Sequence, residues 1–169
     1  MGHRTDNPNE TAPMDARDPL GEFESFYRDQ LPRAVRLAHV MTGSNAVAED
    51  LVHDAFLKLR PRFDTVREPS AYFRAMVVNE CRMWARRREV ESRHATGGKE
   101  RLELPPEHDD AWVHLLALPP RRRAVLFLRF YEDLSTNDIA EALGCRATTV
   151  RSLLRRGLAS MREVMPDAD

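Results

Sequence analysis

Arg82, Arg86, Arg87, Arg88 and Arg93 crowd one stretch of the chain, and Arg146, Arg151, Arg155, Arg156 and Arg162 crowd another. Acidic residues collect elsewhere, at Glu49, Asp50 and Asp54 and again from Glu100 to Asp110. Such segregation suits basic faces for a polyanion and an acidic face for a second, basic partner. The net charge of −1 does not exclude nucleic acid, because binding depends on where lysines and arginines lie rather than on their sum. Catalytic groupings are missing: there is no nucleotide-binding loop, no Ser/His/Asp pattern and no pair of acids in an apolar setting. The six histidines share no ligand spacing with Cys81 or Cys145, so no metal, cofactor or enzymatic activity is expected. Neither cysteine sits in a CxxC pattern, and free thiols in a reducing cytoplasm are the simple reading. No apolar run approaches a membrane span and no signal-peptide core opens the chain, so a cytoplasmic protein without membrane insertion is expected.

The strongest local pattern runs from Thr136 to about Leu158. Ile139, Ala140 and Leu143 are spaced as the inner face of a short helix, and Ser135 with Asp138 resembles a capping box for it. Gly144 supplies a residue able to take positive φ in a tight turn. Val150, Leu153, Leu154 and Leu158 then form the inner stripe of a second helix, and small Ala140 lets the two cross closely. The outer face of that second helix carries Thr148, Thr149, Arg151 and Ser152, with Arg155 and Arg156 a turn later and Arg146 just before it. Hydroxyl and guanidinium donors so placed suit phosphates and base edges in a major groove. A helix-turn-helix by itself does not say what kind of DNA-binding protein carries it.

Elements that position these groups are all helical. Residues 1–20 are polar and rich in Pro, Asp and Asn, and are expected to be a disordered tail. From Glu22, apolar residues three and four apart (Phe23, Phe26, Tyr27, Leu31, Ala34, Leu37, Ala38, Met41) predict an amphipathic helix, with a kink or break at Pro32 and a cap at Gly43. Ser44 or Asn45 caps a second helix reaching about Arg60. A loop from Phe63 to Glu68 leads to a third helix opening with Pro69 and carrying Tyr72, Phe73, Met76, Val77 and Trp84. Polar residues from Glu89 to Asp109, with Gly97-Gly98 and Pro105-Pro106, mark a flexible linker. Beyond it, Trp112, Leu115 and Leu116 precede a helix from Arg121 to Tyr131 that buries Val125, Leu126, Leu128 and Phe130. The expected fold is all-α: two small helical domains, 21–88 and 110–165, joined by the linker at 89–109, the second containing the helix-turn-helix. Small cores should leave both partly dependent on partners for rigidity.

Three segments, in order, resemble those of the extracytoplasmic-function sigma factors of the sigma-70 family. Ala48 through Leu59 (AEDLVHDAFLKL) resembles the segment that grips the polymerase clamp. Pro69 through Asn79 (PSAYFRAMVVN), running into Arg86-Arg87-Arg88, resembles the helix that melts promoters and reads the −10 element. Leu118 through Leu126 (LPPRRRAVL), then Leu134 through Arg156, resembles the domain that reads the −35 element. The match spans about Glu22 to Val164 apart from the linker. Tyr72 stands where many members have Trp, Met83 where Asp is common, His53 where Gln is frequent and Thr148 where Gly is common.

The resemblance implies a specificity subunit of RNA polymerase that recognises −35 and −10 elements and promotes strand opening. Its implied partners are core polymerase (clamp helices and flap), promoter DNA both duplex and melted, and an anti-sigma factor. Glu49, Asp50, His53, Asp54 and Phe56 are the implied polymerase contacts. Tyr72, Asn79, Arg82, Arg86, Arg87 and Arg88 would serve the −10 element, with the loop Phe63 to Glu68 at the place of the flipped base. Arg146, Thr148, Thr149, Arg151, Ser152, Arg155 and Arg156 would serve the −35 element. With no further domain after Val164, regulation is not expected from within the chain. A free-standing helix-turn-helix regulator and a helical protein adaptor are the alternatives; neither would confer initiation on purified core polymerase.

Overall fold

The computed structural model describes residues 18–92 and 110–165. The proposed tail before Asp18, Arg93 and most of the linker, including its acidic run up to Asp109, lie outside the described residues.

Helix α1 (Pro19–Thr42) starts where the Asp18 side chain accepts from the Leu20 amide at 3.2 Å. It ends at Gly43, whose φ of 80° lets its amide turn back to the His39 carbonyl at 2.7 Å. Pro32 does not end it: the helix continues unbroken through an exposed proline, which removes only one intrahelical donor. Helix α2 (Asn45–Leu59) follows within two residues. Ser44 occupies its cap position but its side chain makes no capping bond; the Thr42 hydroxyl organises the corner instead, donating to the Ala38 carbonyl at 2.8 Å.

A 3₁₀ helix, Arg60–Thr65, takes in the first half of the expected loop from Phe63 to Glu68, and α3 (Pro69–Ser92) begins at the proline and runs through residues 89–92, read above as linker. Phe63 anchors the 3₁₀ segment to α1, with ring centres 5.2 Å from Phe23 and 5.1 Å from Phe26. The centre of this half is Phe56, fully inside, with Phe73 at 4.1 Å and Tyr27 at 4.4 Å. Lys58 donates to Glu80 at 2.6 Å and pins α2 to α3.

Helices α4 (Asp110–Ala117), α5 (Pro120–Phe130), α6 (Thr136–Leu143) and α7 (Ala147–Val164) form the second half. Trp112 is buried against Phe127 and Tyr131, as a core anchor should be. Phe130, expected inside, is 60% exposed, because the buried run of α5 ends at Leu128. Arg123 is buried in its place in the sequence pattern, and donates to the Leu116 carbonyl at 2.9 Å, holding the end of α4. No strand occurs among the described residues.

The two halves are packed on each other, α1 against α5 and α3 against α6, so that their buried residues form one continuous core. Within the second half, α5 and α7 approach most closely at Gly157, where a Cβ would stand 3.0 Å from a terminal carbon of Leu126. A large side chain there must push α7 away from the buried face of α5. Gly157→Leu is expected to destabilise the protein by about 1–3 kcal/mol, read as a lowered midpoint in urea denaturation, whereas Ala159→Leu on the exposed face should leave the midpoint unchanged.

Candidate nucleic-acid interface

The helix-turn-helix is built as its residues require. Ser135 Oγ accepts from the Asp138 amide at 3.2 Å while the Asp138 carboxylate accepts from the Ser135 amide at 3.3 Å, closing the capping box. Gly144 takes φ 58° and sends its amide to the Glu141 carbonyl, and the Cys145 amide follows to Ala140 at 2.9 Å, which tightens the turn into α7. Val150 and Gly157 are buried, and Leu153, Leu154 and Leu158 are half-buried, so the inner stripe is seated. Arg146, Thr148, Arg151, Arg155 and Arg156 are exposed; Thr149 and Ser152 are half-buried at the edge. Ser152 Oγ already accepts from Arg156 at 2.7 Å, which orders that guanidinium along the helix. The exposed N-terminus of α7 adds the positive end of a helix dipole to the same surface.

On α3, Tyr72 and Asn79 lie two turns apart on one exposed flank, with Arg86 two turns further. The Tyr72 ring is 38% exposed and its hydroxyl accepts from Arg62 Nη1 at 3.3 Å. Arg62, in the 3₁₀ segment, was not singled out in the sequence; it lies one residue before the loop expected from Phe63 to Glu68, and no local pattern marks it. Asn79 is exposed, its amide donating to the Met83 sulfur at 3.5 Å. Phe73 is core. Trp84 is half-buried, with the Arg88 guanidinium 5.3 Å from its ring centre, a cation–π arrangement; Arg86 and Arg87 are exposed. Arg82 stands apart from the other arginines: its Nη1 donates to the Leu143 carbonyl of the helix-turn-helix at 3.1 Å.

The acidic face of α2 borders a groove. Glu49, Asp50, His53 and Asp54 are exposed and line it with Tyr27, Leu31 and Val35 of α1, around a space of about 600 Å³. Leu57, 57% exposed, extends this surface along α2. Phe56 does not belong to it: at 3% exposure its ring is enclosed by aromatic neighbours and has no face left for a partner. Burial pushes the Cys81 thiol up to about 12, so it stays protonated, and burial lowers the Arg123 pKa from its ordinary value. No group of metal-ligating side chains occurs among the described residues, and no described helix is long and apolar enough to cross a membrane.

Residues 26–90 match the family model of sigma-70 region 2, and residues 114–161 match that of sigma-70, region 4. The RNA polymerase sigma-E factor of Streptomyces coelicolor is 31% identical over 160 residues, covering 88% of each chain. The ECF RNA polymerase sigma factor SigL of Mycobacterium tuberculosis is 32% identical over 154 residues, covering 83% of this chain and 86% of that one. The chain is an extracytoplasmic-function sigma factor of the sigma-70 family. The fold agrees: the sigma factor RpoE of Bartonella quintana, solved with the anti-sigma factor NepR, superposes with a TM-score of 0.76 at 22% identity, over 88% of this chain and 99% of that one. CnrH, solved with the cytosolic domain of CnrY, gives 0.62 at 16% identity, over 89% and 91%.

The function of a sigma factor, promoter-specific initiation of transcription, is thereby the function of this chain, in a family of initiation factors rather than enzymes. Its region 2 match takes in α1 from Phe26 to α3, and its region 4 match takes in α4 to α7. On the sigma factor's α7, Arg151 and Arg155 are exposed one turn apart, and base reading and phosphate contact predict different outcomes for their replacement. If Arg151 or Arg155 reads a base, its replacement by alanine should lower transcription with a loss of about 1–3 kcal/mol confined to one promoter position. A phosphate contact should instead lose affinity evenly across a panel of single-base promoter variants. Unchanged activity of both variants on every promoter would place the reading face elsewhere.

Proposed function

We propose a division of labour in which α7 reads the −35 duplex, α3 captures the melted −10 strand and the α1–α2 groove docks on the polymerase clamp. The domain limits follow the same division: a region 2 domain over 21–88 and a region 4 domain over 110–165. The observation that carries the reading is the shared exposed flank of Tyr72 and Asn79, continuous with Arg86. A ring for stacking, an amide for base edges and a cation for phosphate suit a separated strand, whose bases offer faces that a duplex hides. The arginines at 86 to 88 would hold phosphates whatever the sequence. Arg62 would keep the Tyr72 ring in place from the 3₁₀ segment.

At the groove, exposed Glu49, Asp50 and Asp54 beside apolar Leu31 and Val35 suit a basic, partly apolar helix, which is the chemistry expected of the clamp. The exposed Phe130 at the end of α5 suits an apolar contact such as the flap. Because polymerase and chromosome are its working partners, the protein would act in the cytoplasm. RpoE of Bartonella quintana was solved in complex with the anti-sigma factor NepR, and this protein would bind an anti-sigma factor as well.

Asp54→Arg together with Asp50→Arg should weaken binding to core polymerase by tenfold or more while leaving helicity unchanged, since like charges facing across a contact are costly. Wild-type affinity in a titration against core would remove the groove from the clamp. Separately, Tyr72→Ala and Asn79→Ala should slow promoter opening more than they weaken closed-complex binding. Loss of one stacked base, about 1–3 kcal/mol, corresponds to roughly 5- to 150-fold in opening, read by permanganate footprinting beside gel-shift binding. A premelted bubble template should restore much of the activity; opening at the wild-type rate would assign melting to other residues.

A further inference from the structure

Arginines on and beside α7 extend well past the N-terminal end of that helix. At roughly 100° per residue, Arg151, Arg155 and Arg162 fall on one outer flank, and all three are exposed. Arg156 falls roughly 100° further round, on the other outer flank, where it is exposed and donates to Ser152 Oγ at 2.7 Å. Ser160, one turn on from Arg156, accepts from Arg122 of α5 at 3.4 Å. A second cation thus reaches that flank from a different helix, with the exposed Arg121 beside it in sequence. The two helices run antiparallel, since Gly157 meets Leu126 and Ser160 meets Arg122. The start of α5 therefore stands beside the C-terminal half of α7. Between the two flanks the outward ridge carries only the short side chains of Thr148, Ser152 and Ala159. Glu163, exposed two turns beyond Arg156 on its flank, closes the basic surface at that end.

We propose that α7 lies lengthwise in the major groove and is clasped from both walls, with Arg162 on one phosphate backbone and Arg122 on the other. The proposal rests on the reading of α7 as the helix that binds the −35 duplex. A helix about 10–12 Å across with its side chains fills a major groove about 12 Å wide. Cations on its opposite flanks then meet opposite backbones. A helix entering by its end would bring only its first turns near DNA, as far as Arg155 and Arg156, and would leave Arg162 and Arg122 without a phosphate. The row from Arg151 to Arg162 covers about 16 Å at roughly 1.5 Å per residue, a length that only lengthwise docking uses. The short ridge of Thr148, Ser152 and Ala159 lets the helix sit deep enough for both flanks to reach a wall. Guanidinium on phosphate adds affinity without regard to sequence, so these two arginines grip and do not read. Through Arg122 the DNA-binding surface extends beyond the helix-turn-helix onto α5.

The test uses holoenzyme reconstituted from core polymerase and the full chain, titrated against a promoter duplex over a range of salt. Arg162→Ala and Arg122→Ala should each weaken binding several-fold and lower the slope of log affinity against log salt by about 1. Neither should change the ranking of single-base −35 variants. Arg122→Lys keeps the cation and should keep the slope, which separates a phosphate contact from packing against Ser160. Arg36→Ala, at an exposed position of α1, removes the same charge elsewhere and should change neither quantity. Replacing single phosphates by neutral methylphosphonates locates the contacts. A phosphate whose neutralisation weakens wild type but not Arg162→Ala should lie on one strand, and its counterpart for Arg122→Ala on the other. If either variant keeps the wild-type affinity and slope while Arg151→Ala or Arg155→Ala weakens binding, lengthwise docking is overturned and α7 remains the reader. Both phosphates mapping to one strand would overturn the two-walled clasp. Silence at all four arginines would overturn the reading of α7 itself.

Discussion

The tilted packing of Phe73 on Phe56, ring centres 4.1 Å apart, sets the rotation of α3 about its own axis, and the other surfaces follow from that angle. With Phe73 inward, Val77 and Cys81 are carried into the same core, while Tyr72 and Asn79 are carried outward. Phe56 is held in turn by Tyr27 of α1, and Phe63 ties the intervening 3₁₀ segment to Phe23 and Phe26. Edge and tilted aromatic contacts of this kind prefer particular geometries, so the cluster orients as well as buries. A strand-binding face needs its side chains held in register over several turns, and an aromatic core beneath it supplies that stiffness.

Where structure is determined locally, the sequence was readable. Ser135, Asp138 and Gly144 act on backbone groups within a few residues, and they form the capping box and left-handed turn their types predict. The apolar stripes of α1, α2 and α7 were legible for the same reason. Pro32 does not break α1, because the loss of one helical donor at an exposed position is outweighed by the packing of Ala34, Leu37 and Ala38 beyond it. Phe56 could be read as interface because its pattern is identical for a ring facing a partner and one facing α3. Phe130 looked internal by spacing, yet the buried run of α5 stops at Leu128 and contains Arg123. The roles of Arg82, Arg62 and Gly157 depend on partners distant in sequence, Leu143, Tyr72 and Leu126, and no local pattern encodes them.

Continuity of the core across the two halves answers the difficulty that each is small. A bundle of three or four short helices leaves much of its surface uncovered, and burial per residue falls with size. Packing α1 on α5 and α3 on α6 adds buried area that neither half provides alone. The polar ties that accompany this packing are modest: one arginine on a helix-end carbonyl, and an ion pair whose arginine side chain is 64% exposed. Exposed pairs contribute little, so the apolar packing between the halves carries most of the contact. Ties of the same two kinds occur within the halves, Lys58 on Glu80 and Arg123 on the end of α4.

The distribution of charge completes the same logic. Among the described residues no ion pair holds Glu49, Asp50 or Asp54 on α2, or Arg151 and Arg155 on α7. Of the ion pairs among the described residues, Lys58–Glu80 and Arg33–Glu132 tie different elements together, while Arg28–Glu24 runs along the exposed surface of α1. Uncommitted surface charge does little for stability but acts over roughly 8–10 Å at physiological salt, enough to orient an approaching polyanion or basic helix before contact. A chain with a net charge of −1 can therefore bind DNA through one surface and a basic partner through another. Pairing the acids of α2 with the arginines of α7 inside the molecule would neutralise both, so the fold has to keep the two surfaces on different helices, and it does.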